Sequence, residues 1–148
     1  LFAELNPSIL ITSAQSVALC QNGTAKPMRR LIMTYERYTV IKVPFPFTDK
    51  LASKNRPALI ISAAEQFNNQ IEHSVMAMIT SAKQSDWPLD TIITDLSSAG
   101  LPAPSLIRLK LFTLDNRLIR GTLGELSAED KVYFDMHLAV LFGNSNTS

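Results

Sequence analysis

The sequence predicts a mainly β domain, a small curved barrel of antiparallel strands with an α-helix at its C-terminal end. Three observations predict it. Short apolar and β-branched runs recur at close spacing between turn signals, with no helices alternating between them, which excludes a βαβ sheet. One helical pattern stands out near the end, over residues 127–142. The 148 residues are 46% hydrophobic and 18% charged, with a mean hydropathy of +0.09; this is the composition of a chain that buries a core.

Each element follows from its residues. Residues 39–43 are apolar and β-branched, and Pro44-Phe45-Pro46-Phe47 keeps the chain extended beyond them. Residues 48–55 read as a polar loop. Residues 57–62 (PALIIS) and 75–80 (VMAMIT) are near-continuous apolar runs, as in strands buried on both faces. Asn68-Asn69 between them is a turn signal. Residues 81–90 are a loop, 91–95 a short strand and 99–102 a turn. Residues 105–112 alternate, with Ile107, Leu109 and Leu111 on one face and Arg108 and Lys110 on the other. That alternation predicts a solvated face for the two cations, with a phosphate track or a dimer contact as the sharper role for Arg108. Residues 118–123 form a last short strand carrying Gly121. Ser127 is an N-cap, Glu129 and Asp130 suit the positive end of a helix, and Gly143 stops it. Val132, Met136, Ala139 and Val140 fall on one stripe of that helix. Phe45, Phe47, Phe112, Phe134 and Phe142 are read as mostly core.

Residues 1–32 stand apart from this pattern. They carry Lys26, Arg29 and Arg30 against Glu4, whereas residues 33–148 carry 11 basic and 12 acidic side chains. Residues 9–20 imitate a secretory signal only superficially, because Glu4 rather than a cation precedes them and Thr12, Ser13, Gln15 and Ser16 interrupt them. The expectation is a weakly ordered extension over 1–32, or upstream sequence read in frame with a native start at Met33, and a folded domain over 33–148. A short amphipathic docking segment is the alternative for the extension. No apolar run reaches the roughly 18 residues of a membrane span, which fits the cytoplasm.

Composition also bounds the chemistry. Lys plus Arg is 14 and Asp plus Glu is 13, so no general electrostatic grip on nucleic acid is evident, although a local basic groove is compatible with that balance. One cysteine, Cys20, excludes an internal disulfide framework and a cysteine-rich zinc site. Two histidines, His73 and His137, weigh against a histidine metal site; His73 is expected in solvent, and His137 packed on the helix or facing water. There is no glycine-rich phosphate loop, no Gly-x-Ser-x-Gly and no His-Glu-x-x-His. The informative residues lie at two strand ends. Lys54-Asn55-Arg56-Pro57 enters one buried strand, and Thr80-Ser81 leaves another. Neighbouring strands deliver such ends to a common rim, where a guanidinium beside hydroxyls can hold a phosphate. From the residues alone, Arg56 reads equally as a solvated charge before a proline, and Thr80 as an ordinary strand-end threonine.

The ordered set of motifs resembles the PemK/MazF-type toxins of bacterial type II toxin–antitoxin systems. Val43-Pro44-Phe45-Pro46-Phe47-Thr48-Asp49 is followed by Arg56-Pro57-Ala58-Leu59-Ile60-Ile61-Ser62, then by Met78-Ile79-Thr80-Ser81. Ala99-Gly100-Leu101, Pro104-Ser105-Leu106-Ile107-Arg108, Leu111-Phe112-Thr113-Leu114-Asp115 and Leu123-Gly124-Glu125-Leu126-Ser127 continue the series. The resemblance spans about residues 35–142. It implies an SH3-like barrel of the MazF/CcdB type, a homodimer, and an endoribonuclease that cuts single-stranded RNA at short motifs without metal or cofactor. The 2′-hydroxyl attacks the adjacent phosphorus, leaving a 2′,3′-cyclic phosphate and a 5′-hydroxyl. The resemblance places this chemistry on Arg56 and Thr80. Lys54, Asn55, Ser81, Lys83, Gln84 and Arg108 stand where they could hold RNA, and Trp87 or Phe47 could stack on a base. It also implies a cognate antitoxin.

The chain departs from the family pattern at three places. Tyr38-Thr39 replace a frequent Gly-Asp, which predicts a different rim near the site; Met78 replaces a proline; and residues 49–55 lack a glycine. Two other readings remain. One is a gyrase-binding toxin on the same barrel, which the tail at 143–148 disfavours for want of a tryptophan. The other is a catalytically silent binding module.

Overall fold

The computed structural model describes residues 34–46, 53–83 and 86–144. The segment 1–32, Phe47 and Gln84 lie outside the described residues. Six strands form one antiparallel sheet in the order β4-β5-β3-β2-β1-β6. They are β1 (Thr39–Phe45), β2 (Lys54–Ile60), β3 (His73–Ser81), β4 (Thr91–Ile92), β5 (Ser105–Asp115) and β6 (Gly121–Glu125). A π-helical turn (Ala64–Asn68) runs into α1 (Asn69–Ile71) before β3; α2 (Leu96–Ala99) follows β4, a 3-10 turn (Asn116–Leu118) precedes β6, and α3 (Ala128–Leu141) ends the domain.

The sheet is a half-barrel. The ladders are irregular at two places: opposite Val40/Ile41 of β1, strand β6 carries the extra residue Leu123, and opposite Ala77/Met78 of β3, strand β5 carries Leu109 and Lys110 as extra residues, which bends β6 and β5. The edge strands β4 and β6 stand farthest apart in the order, yet α2, a few residues after β4, lies directly on β6. A Cβ on Gly124 would stand 2.2 Å from the Ser98 carbonyl oxygen, and one on Gly100 2.0 Å from that of Leu123. Gly100 also takes φ +72° as the C-cap of α2, a conformation glycine adopts without strain.

The two faces carry separate apolar clusters. Val40, Leu59, Ala77, Ile79, Ile107 and Leu109 line the concave face, closed by Leu126 and by Phe134 of α3. Ile41, Val43, Ala58, Ile60, Met76 and Leu114 form a second cluster on the other face with Tyr35. Two buried polar residues pin the connections. The Asp130 carboxylate accepts from Thr94 N (3.1 Å), Thr94 Oγ1 (2.7 Å) and Asp95 N (3.2 Å), tying the β4–α2 link to the start of α3. Asn68 accepts a short hydrogen bond from Ser62 Oγ and donates to Tyr35 O at 2.7 Å.

Several sequence expectations change. Lys54 and Asn55 are strand, not loop, because β1 supplies ladder partners as far as Phe45↔Lys54. Asn68-Asn69 is not a turn but part of a helical segment, with Asn68 fully buried. The strand expected over 91–95 stops at Ile92, since Asp95 turns to cap α2 by accepting from Ser98 N. The last strand is 121–125 rather than 118–123. α3 matches its expected span, and Ser127 caps it by accepting from Asp130 N at 3.2 Å. Its stripe does not face inward, however. Val132 (59%), Met136 (57%) and Val140 (46%) are exposed, while Asp130 and Phe134 take the buried side. Phe134 is core and Phe112 half-buried, but Phe45 and Phe142 are exposed.

Candidate active site

Strand register turns Arg56 and Thr80 to the same face of the sheet. The ladder between β2 and β3 ends at Ala58↔Met78. One further same-face step along each strand leads to Arg56 and Thr80. Their outer neighbours are fixed as well, with Val43 of β1 opposite Arg56 and Leu106 of β5 opposite Thr80. Continued past that last pair, the register aligns Val43, Arg56, Thr80 and Leu106 across four strands at the edge of the second apolar cluster, of which Val43 is a member. Directly opposed residues in an antiparallel sheet share a face, so both side chains leave the sheet on the side away from α3.

Arg56 is exposed and Thr80 half-buried. Among the described residues, no carboxylate pairs with Arg56; its guanidinium carbon lies 5.1 Å from the centre of the Phe45 ring. An aromatic face orients a guanidinium without neutralising it, so the charge stays available to an anion. Lys54 is exposed, opposite Phe45 and on the same face as Arg56.

The other residues singled out in the sequence separate. Alternation turns Asn55 to the opposite face, where its Oδ1 accepts from Arg120 Nη1 at 3.0 Å. Ser81 also faces away from Thr80, and its Oγ accepts from Lys83 N at 3.2 Å, leaving Lys83 exposed in the turn after β3. Gln84 lies outside the described residues. Arg108 shares the face of Arg56, one row away opposite Met78, but it is not a solvated cation. It is 9% exposed. Its Nε donates to Asp90 Oδ1 at 3.2 Å and its Nη2 to Asp90 Oδ2 at 2.7 Å. These bonds to Asp90 push the Arg108 pKa further up. Its guanidinium carbon lies 5.4 Å from the centre of the Trp87 ring. His137 packs, its Nδ1 sharing a 2.6 Å hydrogen bond with Thr91 Oγ1, and His73 Nδ1 lies 2.8 Å from Ile71 O. Sequence reasoning missed the Phe45 contact and the Asp90 pairing because both depend on which residues the register sets side by side.

Among the described residues no three of His, Cys, Asp and Glu converge as a metal site, and no helix is long and apolar enough to cross a membrane. What the row offers is a fixed cation beside a hydroxyl. That pair can hold a phosphoryl group and stabilise charge developing on it.

Comparison with known proteins decides the family. A profile described as PemK-like, MazF-like toxin of type II toxin-antitoxin system matches residues 36–142. The chain belongs to this family. No curated protein sequence matches it. Among solved structures, it is similar to MazF from Deinococcus radiodurans, with TM-score 0.57 and 21% identity over 75% of this chain and 98% of that one. It is also similar to a MazE–MazF complex of the same organism (TM-score 0.59, 19% identity, 75% and 98% covered). A mycobacterial endoribonuclease in complex with its cognate antitoxin is similar too (TM-score 0.58, 19% identity, 74% and 95% covered). At these identities the likeness shows the PemK/MazF fold.

Two departures from the PemK/MazF pattern now have a structural meaning. Tyr38 holds φ +73°, so a tyrosine occupies the left-handed conformation that a glycine adopts freely. Its hydroxyl donates to Asp135 Oδ2 at 2.6 Å, with Arg37 4.8 Å and Lys131 5.2 Å from its ring centre. This corner lies at the start of β1, whereas Arg56 pairs with Val43 towards the far end of that strand. The rim expected to change near the site is therefore remote from it. Met78 does belong to the site's surroundings, half-buried between Ala58 and Arg108 and next to Thr80 on the same face.

Proposed function

We propose that this PemK/MazF-like toxin is a metal-independent endoribonuclease that cuts single-stranded RNA at short motifs. The observation that carries the reading is the strand register that turns Arg56, paired with no carboxylate among the described residues, to the same face as Thr80. In-line attack of a 2′-hydroxyl on the adjacent phosphorus places extra negative charge on the phosphoryl oxygens. The Arg56 fork accepts that charge through two N–H donors, and the Thr80 hydroxyl orients the nucleophile or donates to a third oxygen. The 5′-oxygen leaves, giving 2′,3′-cyclic phosphate and 5′-hydroxyl ends. Lys54, on the same face, serves the approaching backbone.

The assembly follows from the same reading: a cytoplasmic homodimer, held inactive by a cognate antitoxin that covers the RNA-binding face. The exposed stripe Val132, Met136 and Val140 on α3 is the surface a second copy would cover.

The test is cleavage of long RNAs by the purified chain in excess EDTA, with product ends analysed and Arg56→Ala as control. Cyclic phosphate ends formed in chelator and lost in Arg56→Ala support the reading. Folded, antitoxin-free protein that cuts none of a varied set of RNAs would sink it, and would move the weight to gyrase binding or to a silent module.

A further inference from the structure

Trp87 has no part in the reaction just described, yet it is an exposed ring held by two cations. It lies on the loop between β3 and β4 and is 41% exposed. Two cations meet it, Arg108 with its guanidinium carbon 5.4 Å from the ring centre and Lys110 with Nζ at 5.3 Å. Arg108 is itself locked, because Asp90 takes two of its N–H groups and the two side chains are only 11% and 14% exposed. An ion pair this covered costs desolvation that two hydrogen bonds only partly return. Its evident product is a rigid base under an indole.

We propose that Trp87 is a stacking platform for one unpaired base of the RNA strand, and that Arg108 is its positioning residue rather than a phosphate contact. The inference rests on the ribonuclease reading. Three features point to a base. The site is a planar ring, 41% exposed, held beside a fixed guanidinium, and another flat π-system can add to such a ring face to face. Lys110, its Nζ 5.3 Å from the ring centre, supplies a second positive charge for the accompanying phosphate. And Arg108 stands opposite Met78, the residue next to Thr80 on the same face of β3, so the platform is one row from the cutting pair. Asp90 takes the Nε–Nη2 edge of Arg108 and offsets its charge, which suits Arg108 to holding the ring rather than gripping a phosphate. The division of labour is Lys54 and Lys110 for charge, Trp87 for the base, and Arg56 with Thr80 for the scissile phosphate.

Trp87 is the one tryptophan in the chain, so its emission reports on the platform directly. The probes are 2′-O-methylated RNA strands of single-base and mixed sequence, which lack the nucleophile and stay intact, and an abasic strand of equal length. Affinity is read separately by anisotropy of labelled strands. Base-bearing strands are expected to quench Trp87, and the abasic strand to leave its emission unchanged. Trp87→Ala is expected to weaken base-bearing strands about ten-fold and to leave the abasic strand unaffected. Trp87→Phe keeps a ring over Arg108 and should stay within about three-fold of the native chain, which separates loss of stacking from loss of fold. Arg108→Lys keeps the charge but not the fork, so it should match Trp87→Ala, and the double variant should be no weaker than either alone. Strands that bind without moving Trp87 emission, or a Trp87→Ala variant that binds base-bearing strands as well as the native chain does, would overturn the platform alone. A chain that binds no strand overturns it together with the ribonuclease reading.

Discussion

Arg56 owes its usefulness to what stands beside it. A ring at 5.1 Å steadies the guanidinium, whereas a carboxylate would have cancelled it, as Asp90 does for Arg108. Arg56→Ala is expected to reduce single-turnover cleavage by about 100-fold or more. Because the side chain is exposed, the unfolding free energy read from a urea melt should change by no more than about 0.5 kcal/mol. Arg56→Lys keeps a charge without the two-pronged geometry and should fall between the native chain and Arg56→Ala. Equal cleavage by all three would remove Arg56 from the mechanism. Tyr38 shows the opposite economy, a strained residue retained by its contacts. Burial, then the hydrogen bond to Asp135, push its hydroxyl up to about 12 from the ordinary 10.0. The folded state therefore favours the neutral phenol. Its contribution is fully present below about pH 10 and is lost as pH rises towards 12. Tyr38→Phe should cost about 1 kcal/mol at neutral pH and flatten the fall in stability between pH 10 and 12. Denaturant melts across that range read both effects, and an unchanged alkaline slope would count against the assignment.

At the scale of elements, two close approaches hold the half-barrel together. α2 sits on β6 because Gly124 has no side chain. A methyl there would meet the Ser98 carbonyl oxygen at 2.2 Å, a backbone atom that cannot swing aside. Gly124→Ala should therefore shift α2 and cost about 2 kcal/mol or more in a urea melt, while Gly143→Ala, with open space around it, should cost less. Asp130 does the equivalent for α3, as a fully buried carboxylate facing only N–H and O–H donors. Asp130→Asn sets an amide N–H₂ against some of those donors and should cost about 3 kcal/mol; a loss under about 1 kcal/mol would show that the link relaxes around it. The sequence made some of these elements easy to read and hid others. β3 and the span of α3 followed from apolar runs and a serine cap. Lys54 and Asn55 looked like loop because their side chains are polar, and only the partner strand β1 makes them strand. The buried side of α3 was misread because Asp130, a charged residue, takes a core position that periodicity assigns to apolar ones.

The same limit applies to the molecule as a whole. Arg56 and Thr80 were legible as strand-end residues, and the resemblance assigned them chemistry, but their shared row rests on a register that no local pattern states. Asn55 and Ser81 are adjacent to them in sequence and turn to the other face, since side chains alternate along a strand. That division of faces has a consequence for assembly. Arg56 and Thr80 leave the sheet on one side, and α3 packs on the other through Phe134. Outward from α3 point Val132, Met136 and Val140, with Phe142 64% exposed beyond them. A contiguous apolar stripe of this kind favours association, and a second copy of the chain is the occupant the family reading supplies. Met136→Glu places a charge in the middle of the stripe without touching the core or the proposed catalytic residues. Sedimentation equilibrium should then report a single-chain mass where the native chain gives two, with Arg56 and Thr80 still in register. A Met136→Glu variant that remains a dimer would place the interface elsewhere on the sheet, and a native chain that is monomeric throughout the micromolar range would remove the homodimer from the proposal.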